Sequence, residues 1–111
     1  MNDGAAAADS NENSVGSKDQ WYKGSVKYWD AQPATVDGVL GGFEEIHIVE
    51  SDTSKNMIQT FKHMLPSMGS ALDCGAGIGR ITKTVLKPMF ENVDLVEPSK
   101  TQIDEAKNYV P

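Results

Sequence analysis

The clearest pattern in the chain is a pair of short apolar runs, each followed by or ending in an acidic residue. Residues 71–73 lead into a glycine-rich loop, and residues 92–96 lead into Glu97. Short apolar runs bounded by turn residues are typical of β-strands. Apolar side chains recur at helical spacing between the runs, and a second helical pattern follows Pro98. The predicted order is strand, helix, strand, helix, which is one right-handed βαβ unit followed by a helix. The inward faces of these two helices are predicted to be Ile78, Ile81, Val85 and Leu86, and then Ile103, Ala106 and Tyr109 or Val110.

Another helical pattern precedes the first strand. Residues 51–54 read Ser-Asp-Thr-Ser and offer candidates for the helix N-cap. Residues 43–50 have a mixed pattern, and we predict an extended segment there. Pro66 and Gly69 are predicted to end the helix. Its apolar face is predicted to consist of Met57, Ile58, Phe61 and Leu65.

Residues 20–29 are dense in aromatic side chains. Tyr22, Val26 and Trp29 stand at i, i+4 and i+7, and this spacing predicts a helix that carries them on one face. Two interpretations are open, and they are compatible. The helix docks on the domain by burying its aromatic rings, or it forms a lid over a ligand.

The part of the chain before residue 51 is predicted to lie outside the main domain. In residues 35–42, an Asp-Gly pair and a Gly-Gly pair enclose Val39 and Leu40, which indicates a tight, flexible loop that closes against a ligand. The first residues hold little that could be buried, and we predict a disordered tail. The predicted organisation is a tail at 1–19, a helical and loop extension acting as a lid at 20–50, and a domain at 51–111.

Composition limits the partners. The formal charge is −6 and there is no basic stripe, so we expect no nucleic-acid partner. The single cysteine, Cys74, excludes an intramolecular disulfide and favours a reducing compartment. We find no apolar run long enough to cross a bilayer and no signal peptide, and we expect a cytoplasmic or nuclear protein without a membrane partner. His47 and His63 have no partner at metal-ligand spacing, so neither is given a role and no metal is expected.

The glycine-rich loop is the candidate chemical site. Gly75, Gly77 and Gly79 alternate with other residues, and glycine permits positive φ and the close approach of a ligand. Arg80 follows in the first turn of the helix, where a cation opposes the helix dipole unless an anion is bound nearby. Its guanidinium offers two parallel donors to a carboxylate. This arrangement is typical of the opening of a nucleotide-binding α/β unit.

The spacing of the glycines and Asp73 narrow the choice of ligand. Gly-x-Gly-x-Gly differs from the Gly-x-Gly-x-x-Gly of dinucleotide sites, and no phosphate-binding Gly-Lys-Ser/Thr follows. Asp73 would repel a pyrophosphate and suits an ammonium group. S-adenosylmethionine carries that ammonium and also a carboxylate for Arg80. A purely structural turn and a nicotinamide-binding oxidoreductase remain alternatives, and the glycine spacing and Asp73 disfavour the second.

Glu97 is a second candidate contact for the same ligand, in addition to the glycine-rich loop. It stands at the end of the second strand, roughly 20 residues beyond the loop, where such folds place a carboxylate that accepts the ribose hydroxyls. A solvated acid at a strand end is the alternative. With the loop in place, the ribose role is the stronger hypothesis.

Three segments together resemble a known family. They are Tyr-Trp at 28–29, Thr-Val-Asp-Gly-Val-Leu-Gly-Gly at 35–42, and Ala-Leu-Asp-Cys-Gly-Ala-Gly-Ile-Gly-Arg-Ile-Thr-Lys at 71–83. The chain from about residue 20 to 111 resembles the eukaryotic protein α-N-terminal methyltransferases, which methylate the α-amino group of X-Pro-Lys/Arg protein N-termini. The resemblance implies an α/β, Rossmann-like class I methyltransferase fold. Here that fold would be truncated after the second strand and its helix, with an N-terminal helical extension.

The resemblance also implies roles for individual residues, with S-adenosylmethionine as the cofactor. Gly75 and Arg80 correspond to cofactor contacts, with Arg80 on the methionyl carboxylate. Glu97 corresponds to the ribose acid, a position where family members often carry Asp. The other correspondences are Pro98 and Ser99 beside the adenine, Trp29 over the methionyl end, and Leu40 lining the peptide channel.

The family's catalytic Asp and His come from the second half of its domain, so no catalytic residue is assigned in this chain. A two-stranded parallel unit is a poor candidate for independent stability. We therefore expect a truncated methyltransferase that keeps part of a cofactor site and has no turnover alone. The alternative is a non-catalytic module that binds S-adenosylmethionine or a full-length partner and regulates it. The sequence leaves the oligomeric state open.

Overall fold

The computed structural model describes residues 17–111. Residues 1–16, which make up most of the predicted tail, lie outside the described residues. A helix already begins at Lys18, ahead of the predicted boundary at residue 20, because Ser17 and Gln20 cap it reciprocally. The elements are α1 (Lys18–Ala31), α2 (Val36–Val39), α3 (His47–Phe61), β1 (Ser70–Cys74), α4 (residues 80–89), β2 (Asn92–Val96) and α5 (Lys100–Tyr109).

The two strands pair in parallel, with Ala71 opposite Val93 and Asp73 opposite Leu95. Helix α4 connects them and is π-helical over Thr82–Leu86. The backbone amides of Gly75 and Ala76 both donate to the Val96 carbonyl, at 3.0 and 3.1 Å. The predicted βαβ unit is therefore confirmed, and its parallel pairing brings the carboxyl ends of both strands to one edge.

The core is small and lies under α4 and α5. Ile78, Val85 and Ala106 are buried as predicted, although Ile78 lies in the glycine loop just before α4 and not in the helix. Within residues 17–111, β1 and β2 are the only strands. No helix in this range combines the length and apolar character needed to span a bilayer.

Helix α3 begins earlier than predicted. Residues 43–50 are not extended, because a 3-10 turn over Glu44–Ile46 leads directly into the helix at His47. Residues 51–54 do not cap it. The Ser51 hydroxyl is buried and lies 3.1 Å from the hydroxyl of Thr84, so it serves the packing of α3 on α4 instead. The predicted apolar face is also wrong in part, since Met57 and Phe61 are 58% and 52% exposed.

Helix α1 forms as predicted, but it does not dock by burying its aromatic face. Tyr22 is 56% exposed and Trp29 is 38% exposed. The helix is held through its last turn, where Asp30 accepts a hydrogen bond from the Ser99 hydroxyl at 2.5 Å. Because this contact is at one end, the rings further up the helix have little to pack against within the described residues.

The predicted tight loop at 35–42 contains a short helix that was not predicted. Thr35 caps α2, since its hydroxyl accepts from the Gly38 amide at 3.0 Å. The turn that follows does use glycine as expected, because Gly41 and Gly42 have φ of +62° and +91°.

Candidate cofactor site

A cavity of about 370 Å³ opens at the edge of the sheet where both strands end. Its volume lies in the range of small-molecule sites, about 300–1,000 Å³. Its lining comes from α1, α2, the end of β1 and the loop after it, the first turn of α4, the residues after β2, and α5. Seven of the residues predicted from the sequence line it: Trp29, Asp73, Gly75, Gly77, Arg80, Glu97 and Pro98.

The alternating glycines have the conformation that the sequence predicted. Gly75, Gly77 and Gly79 have φ of +69°, +59° and +83°. A Cβ at Gly75 would meet no atom of residues 17–111 within 4 Å, so the space beside it is open to a ligand. Gly79 lies instead against Val110 and Leu95. The first two glycines therefore face the cavity, and the third allows close packing.

The Glu97 carboxylate is fixed by two backbone amides. Gly77 donates to Oε1 at 2.9 Å, and Ser99 donates to Oε2 at 2.7 Å. Each carboxylate oxygen can accept more than one hydrogen bond, so the group can still receive hydroxyl donors from a ligand. The amides hold this acid in place at the end of β2.

The Asp73 carboxylate is also oriented by the protein. The buried Thr82 hydroxyl donates to its Oδ2 at 2.7 Å, from the first turns of α4. Asp73 therefore presents a fixed negative charge to the cavity at the end of β1.

Arg80 has protein partners that the sequence did not indicate. Its guanidinium lies 3.1 Å from Oε1 of Glu50, and its side chain is only 12% exposed. Another guanidinium nitrogen lies 3.3 Å from Nδ1 of His47, a residue given no role from the sequence. The expected conflict with the α4 dipole is thus relieved by a carboxylate from α3 and does not require a ligand. A guanidinium has five N–H donors, so donors remain for the cavity.

Two predicted residues are not brought to the cavity. Ser99 is fully buried as the N-cap of α5, and its hydroxyl donates to Asp30. Leu40 follows α2, and its neighbour Val39 lines the cavity in its place. The adenine role for Ser99 and the peptide role for Leu40 stay predictions.

The contact between α1 and α5 positions the aromatic side of the cavity. Asp30 accepts from the Ser99 hydroxyl and from the Thr101 amide, and these hydrogen bonds lower the pKa of its carboxyl group. The Trp29 carbonyl accepts from the side-chain amide of Gln102 at 3.3 Å. Together these bonds fix the end of α1 so that Ser25 and Trp29 line the cavity.

Several site residues could not be identified from the sequence, and they share a common reason. Ser25, Val39 and Gln102 line the cavity, while His47 and Glu50 contact Arg80 from outside it. All come from segments distant from the glycine loop in the sequence. Only Gln102 had a local signal, because it is the fourth residue of a Ser-x-x-Gln capping pattern.

The charges of the cavity match a zwitterionic nucleoside. Asp73 offers an acid for an ammonium group, Arg80 offers donors for a carboxylate, and Glu97 offers acceptors for hydroxyls. The side-chain oxygen of Gln102 is buried and has no hydrogen-bond partner among the described residues, so a further acceptor is present. These groups fit S-adenosylmethionine. The fold and the site together define a cofactor-binding unit of the S-adenosylmethionine-dependent methyltransferase class.

Comparison with known proteins identifies the family within this class. The family described as AdoMet dependent proline di-methyltransferase matches residues 17–111, and the chain belongs to it. The predicted resemblance, the cofactor and the truncated Rossmann-like fold are thereby confirmed, and the nicotinamide alternative is not supported.

Individual relatives agree with this assignment. The chain is 45% identical over 97 residues to alpha N-terminal protein methyltransferase 1 of Dictyostelium discoideum, covering 82% of this chain and 36% of the relative. It is 42% identical over 94 residues to human N-terminal Xaa-Pro-Lys N-methyltransferase 1, covering 82% and 42%. A solved SAM-dependent methyltransferase from Leishmania major superimposes with a TM-score of 0.73 at 46% identity, covering 80% of this chain and 35% of that one. The chain thus spans about two fifths of the length of these relatives.

Proposed function

We propose that this chain binds S-adenosylmethionine in the cavity at the strand ends. We further propose that it provides the cofactor-binding part of an enzyme that methylates the α-amino group of X-Pro-Lys/Arg protein N-termini. The names of the Dictyostelium and human relatives support this substrate class. The single observation that carries the cofactor role is that Asp73, Arg80 and Glu97 line one cavity.

Each polar group of the cavity has a role in this proposal. Arg80 binds the methionyl carboxylate with the donors that Glu50 and His47 leave free. Asp73, oriented by Thr82, receives the ammonium. Glu97 accepts the ribose hydroxyls while its own position is fixed by the Gly77 and Ser99 amides.

Binding of the cofactor and deprotonation of the substrate amine require different groups. When bound, the cofactor supplies a methyl group on a sulfonium, which an uncharged amine attacks in line. An α-amino group has a pKa near 8, so a base must keep it deprotonated close to neutral pH. In this proposal Asp73 receives the ammonium of the cofactor and Glu97 its ribose hydroxyls, so neither carboxylate is left to serve as that base. We therefore assign this chain the binding and orienting of the cofactor, and no catalytic base.

A chimeric enzyme tests the proposal. Residues 17–111 would replace the matching segment of the Dictyostelium relative, which supplies the rest of that protein. The chimera is expected to transfer labelled methyl groups to a peptide that begins Ser-Pro-Lys, while the 111-residue chain alone shows no turnover. Arg80→Ala in the chimera serves as the control and should abolish labelling. A folded chimera that binds the cofactor but leaves the peptide unlabelled would contradict the substrate assignment.

A further inference from the structure

The chain contains two Ser-x-x-Gln patterns at helix starts, and only one forms the usual reciprocal cap. At α1, the Gln20 side chain accepts from the Ser17 amide at 3.1 Å, and the Ser17 hydroxyl accepts from the Gln20 amide at 3.3 Å. This closes a capping box, in which both residues satisfy each other's backbone. The side-chain oxygen of Gln20 is thus used in capping α1.

At α5, Glu97 prevents the same reciprocal cap from forming. The Ser99 hydroxyl accepts from the Gln102 amide at 3.3 Å, which is half of the box. The other half is missing because the Ser99 amide donates to Oε2 of Glu97 instead. The Gln102 side chain is therefore released from the cap, and it lines the cavity.

The orientation of the Gln102 amide is determined by its contact with α1. Its Nε2 donates to the Trp29 carbonyl at 3.3 Å. A carbonyl can only accept, so the nitrogen must face Trp29 and the oxygen must face away. That oxygen, Oε1, lies beside Gly77, only 3.7 Å from where a Cβ on that glycine would stand.

The Gln102 oxygen is a buried acceptor without a donor. The residue is 1% exposed, and Oε1 has no hydrogen-bond partner among the described residues. Buried polar atoms are nearly always paired, and an unpaired one is unfavourable. A ligand in the cavity that brings a hydroxyl or amino group to this point would satisfy it.

We propose that Oε1 of Gln102 accepts a hydrogen bond from a ribose hydroxyl of the nucleoside bound in the cavity. Gly77 connects the two acceptors, because its amide binds Glu97 and its α-carbon lies next to Gln102. Gln102 would then share the ribose with Glu97 and link it to Trp29 on α1. The inference rests on the proposed binding of S-adenosylmethionine and adds a specificity residue to that site.

Calorimetry on the 111-residue chain tests this with S-adenosylhomocysteine and its 2′-deoxy and 3′-deoxy analogues. Gln102→Met keeps the side-chain length and removes both polar atoms. We expect it to weaken S-adenosylhomocysteine binding about tenfold, and to have almost no effect with the one analogue that lacks the recognised hydroxyl. Gln20→Met is the matched control, because it removes a glutamine at the same capping position away from the cavity, and it should leave all three affinities unchanged.

Two outcomes would overturn the inference. One is that Gln102→Met weakens the binding of all three ligands equally, or of none of them. The other is that Gln102→Met weakens the binding of every ligand except S-inosylhomocysteine, which lacks the adenine amino group, because Gln102 would then contact the adenine and not the ribose. If wild-type protein binds none of the ligands, the proposed cofactor function fails as a whole. If Gln102→Met loses its helical circular dichroism, Gln102→Leu takes its place as a second apolar variant, and it should weaken the binding of S-adenosylhomocysteine but not that of the same deoxy analogue; an equal loss with both ligands contradicts the assignment.

Discussion

The backbone amide of Gly77 donates a hydrogen bond to Oε1 of Glu97 at 2.9 Å. This bond joins the glycine loop after β1 to the acid that follows β2, which are the two features from which the sequence predicted a cofactor site. Because Glu97 also accepts from the Ser99 amide, one carboxylate organises the loop, the strand end and the start of α5. Cofactor binding and local stability should therefore depend on the same side chain.

Replacing Glu97 tests this dual role. Glu97→Ala leaves two backbone amides without their acceptor, and each such loss costs about 1–3 kcal/mol when the group is buried. We expect both a lower urea midpoint and at least a tenfold weaker binding of S-adenosylmethionine. Glu91→Ala, which removes an exposed acid just before β2, is the control and should change neither. Unchanged cofactor affinity in Glu97→Ala would remove this residue from the site.

Arg80 is predicted to provide the carboxylate contact of the cofactor. Arg80→Ala should weaken S-adenosylmethionine binding about 10- to 100-fold, because hydrogen bonds to charged groups contribute about 1.5–3 kcal/mol. Arg80→Lys should recover only part of this, since an ammonium cannot form the bidentate contact. Lys83→Ala is the control, because that exposed cation lies on the same helix over the Tyr109 ring. Wild-type affinity in Arg80→Ala, measured by calorimetry, would be incompatible with the assigned role.

The docking of α1 on α5 should depend on pH through Asp30. The hydrogen bond from Ser99 is the main cause that lowers the pKa of Asp30 below its ordinary value of 3.8. A carboxyl group with a lowered pKa stabilises the folded form above the unfolded value, and this contribution is lost as the pH falls through the folded value. An NMR titration should find the pKa of Asp30 below 3.8, and Ser99→Ala should raise it. A value at or above 3.8 in the wild-type protein would contradict the contact.

Gly77 and Gly24 should respond oppositely to alanine. Gly77 has φ of +59°, where an L-residue costs about 1–2 kcal/mol, although its nearest side-chain neighbours leave room for a Cβ. Gly24 lies within α1, and a Cβ there would meet no other described residue within 4 Å, so alanine should stabilise by about 0.5–1 kcal/mol. Urea denaturation of both variants measures the difference. Destabilisation by Gly24→Ala would contradict the helical conformation of Gly24, and no destabilisation by Gly77→Ala would contradict the left-handed conformation of Gly77.

The sequence predicted the features that depend on local pattern. The strands, the positive φ of Gly75 and Gly77, and the place of Glu97 all follow from short-range periodicity and from the properties of glycine. These residues form the part of the cavity nearest the sheet. They also carry the resemblance to the family, so class and family could be predicted together.

Features that depend on distant partners could not be predicted in this way. Ser51 looked like a helix cap, but its hydroxyl lies against Thr84 of α4, and α3 begins earlier. Arg80 looked unpaired because its partner Glu50 lies on that same misjudged helix. Gln102 fits a capping box, and only the competition of Glu97 for the Ser99 amide releases it into the cavity. In each case a tertiary contact outweighs a local preference.

Calorimetric titration of the 111-residue chain with S-adenosylmethionine and, separately, with NAD tests the proposed cofactor site most directly. We predict saturable binding of S-adenosylmethionine at one site, about 10- to 100-fold weaker binding in Arg80→Ala, and no binding of NAD. Binding of NAD, or a folded chain that gives no signal with S-adenosylmethionine, would contradict it.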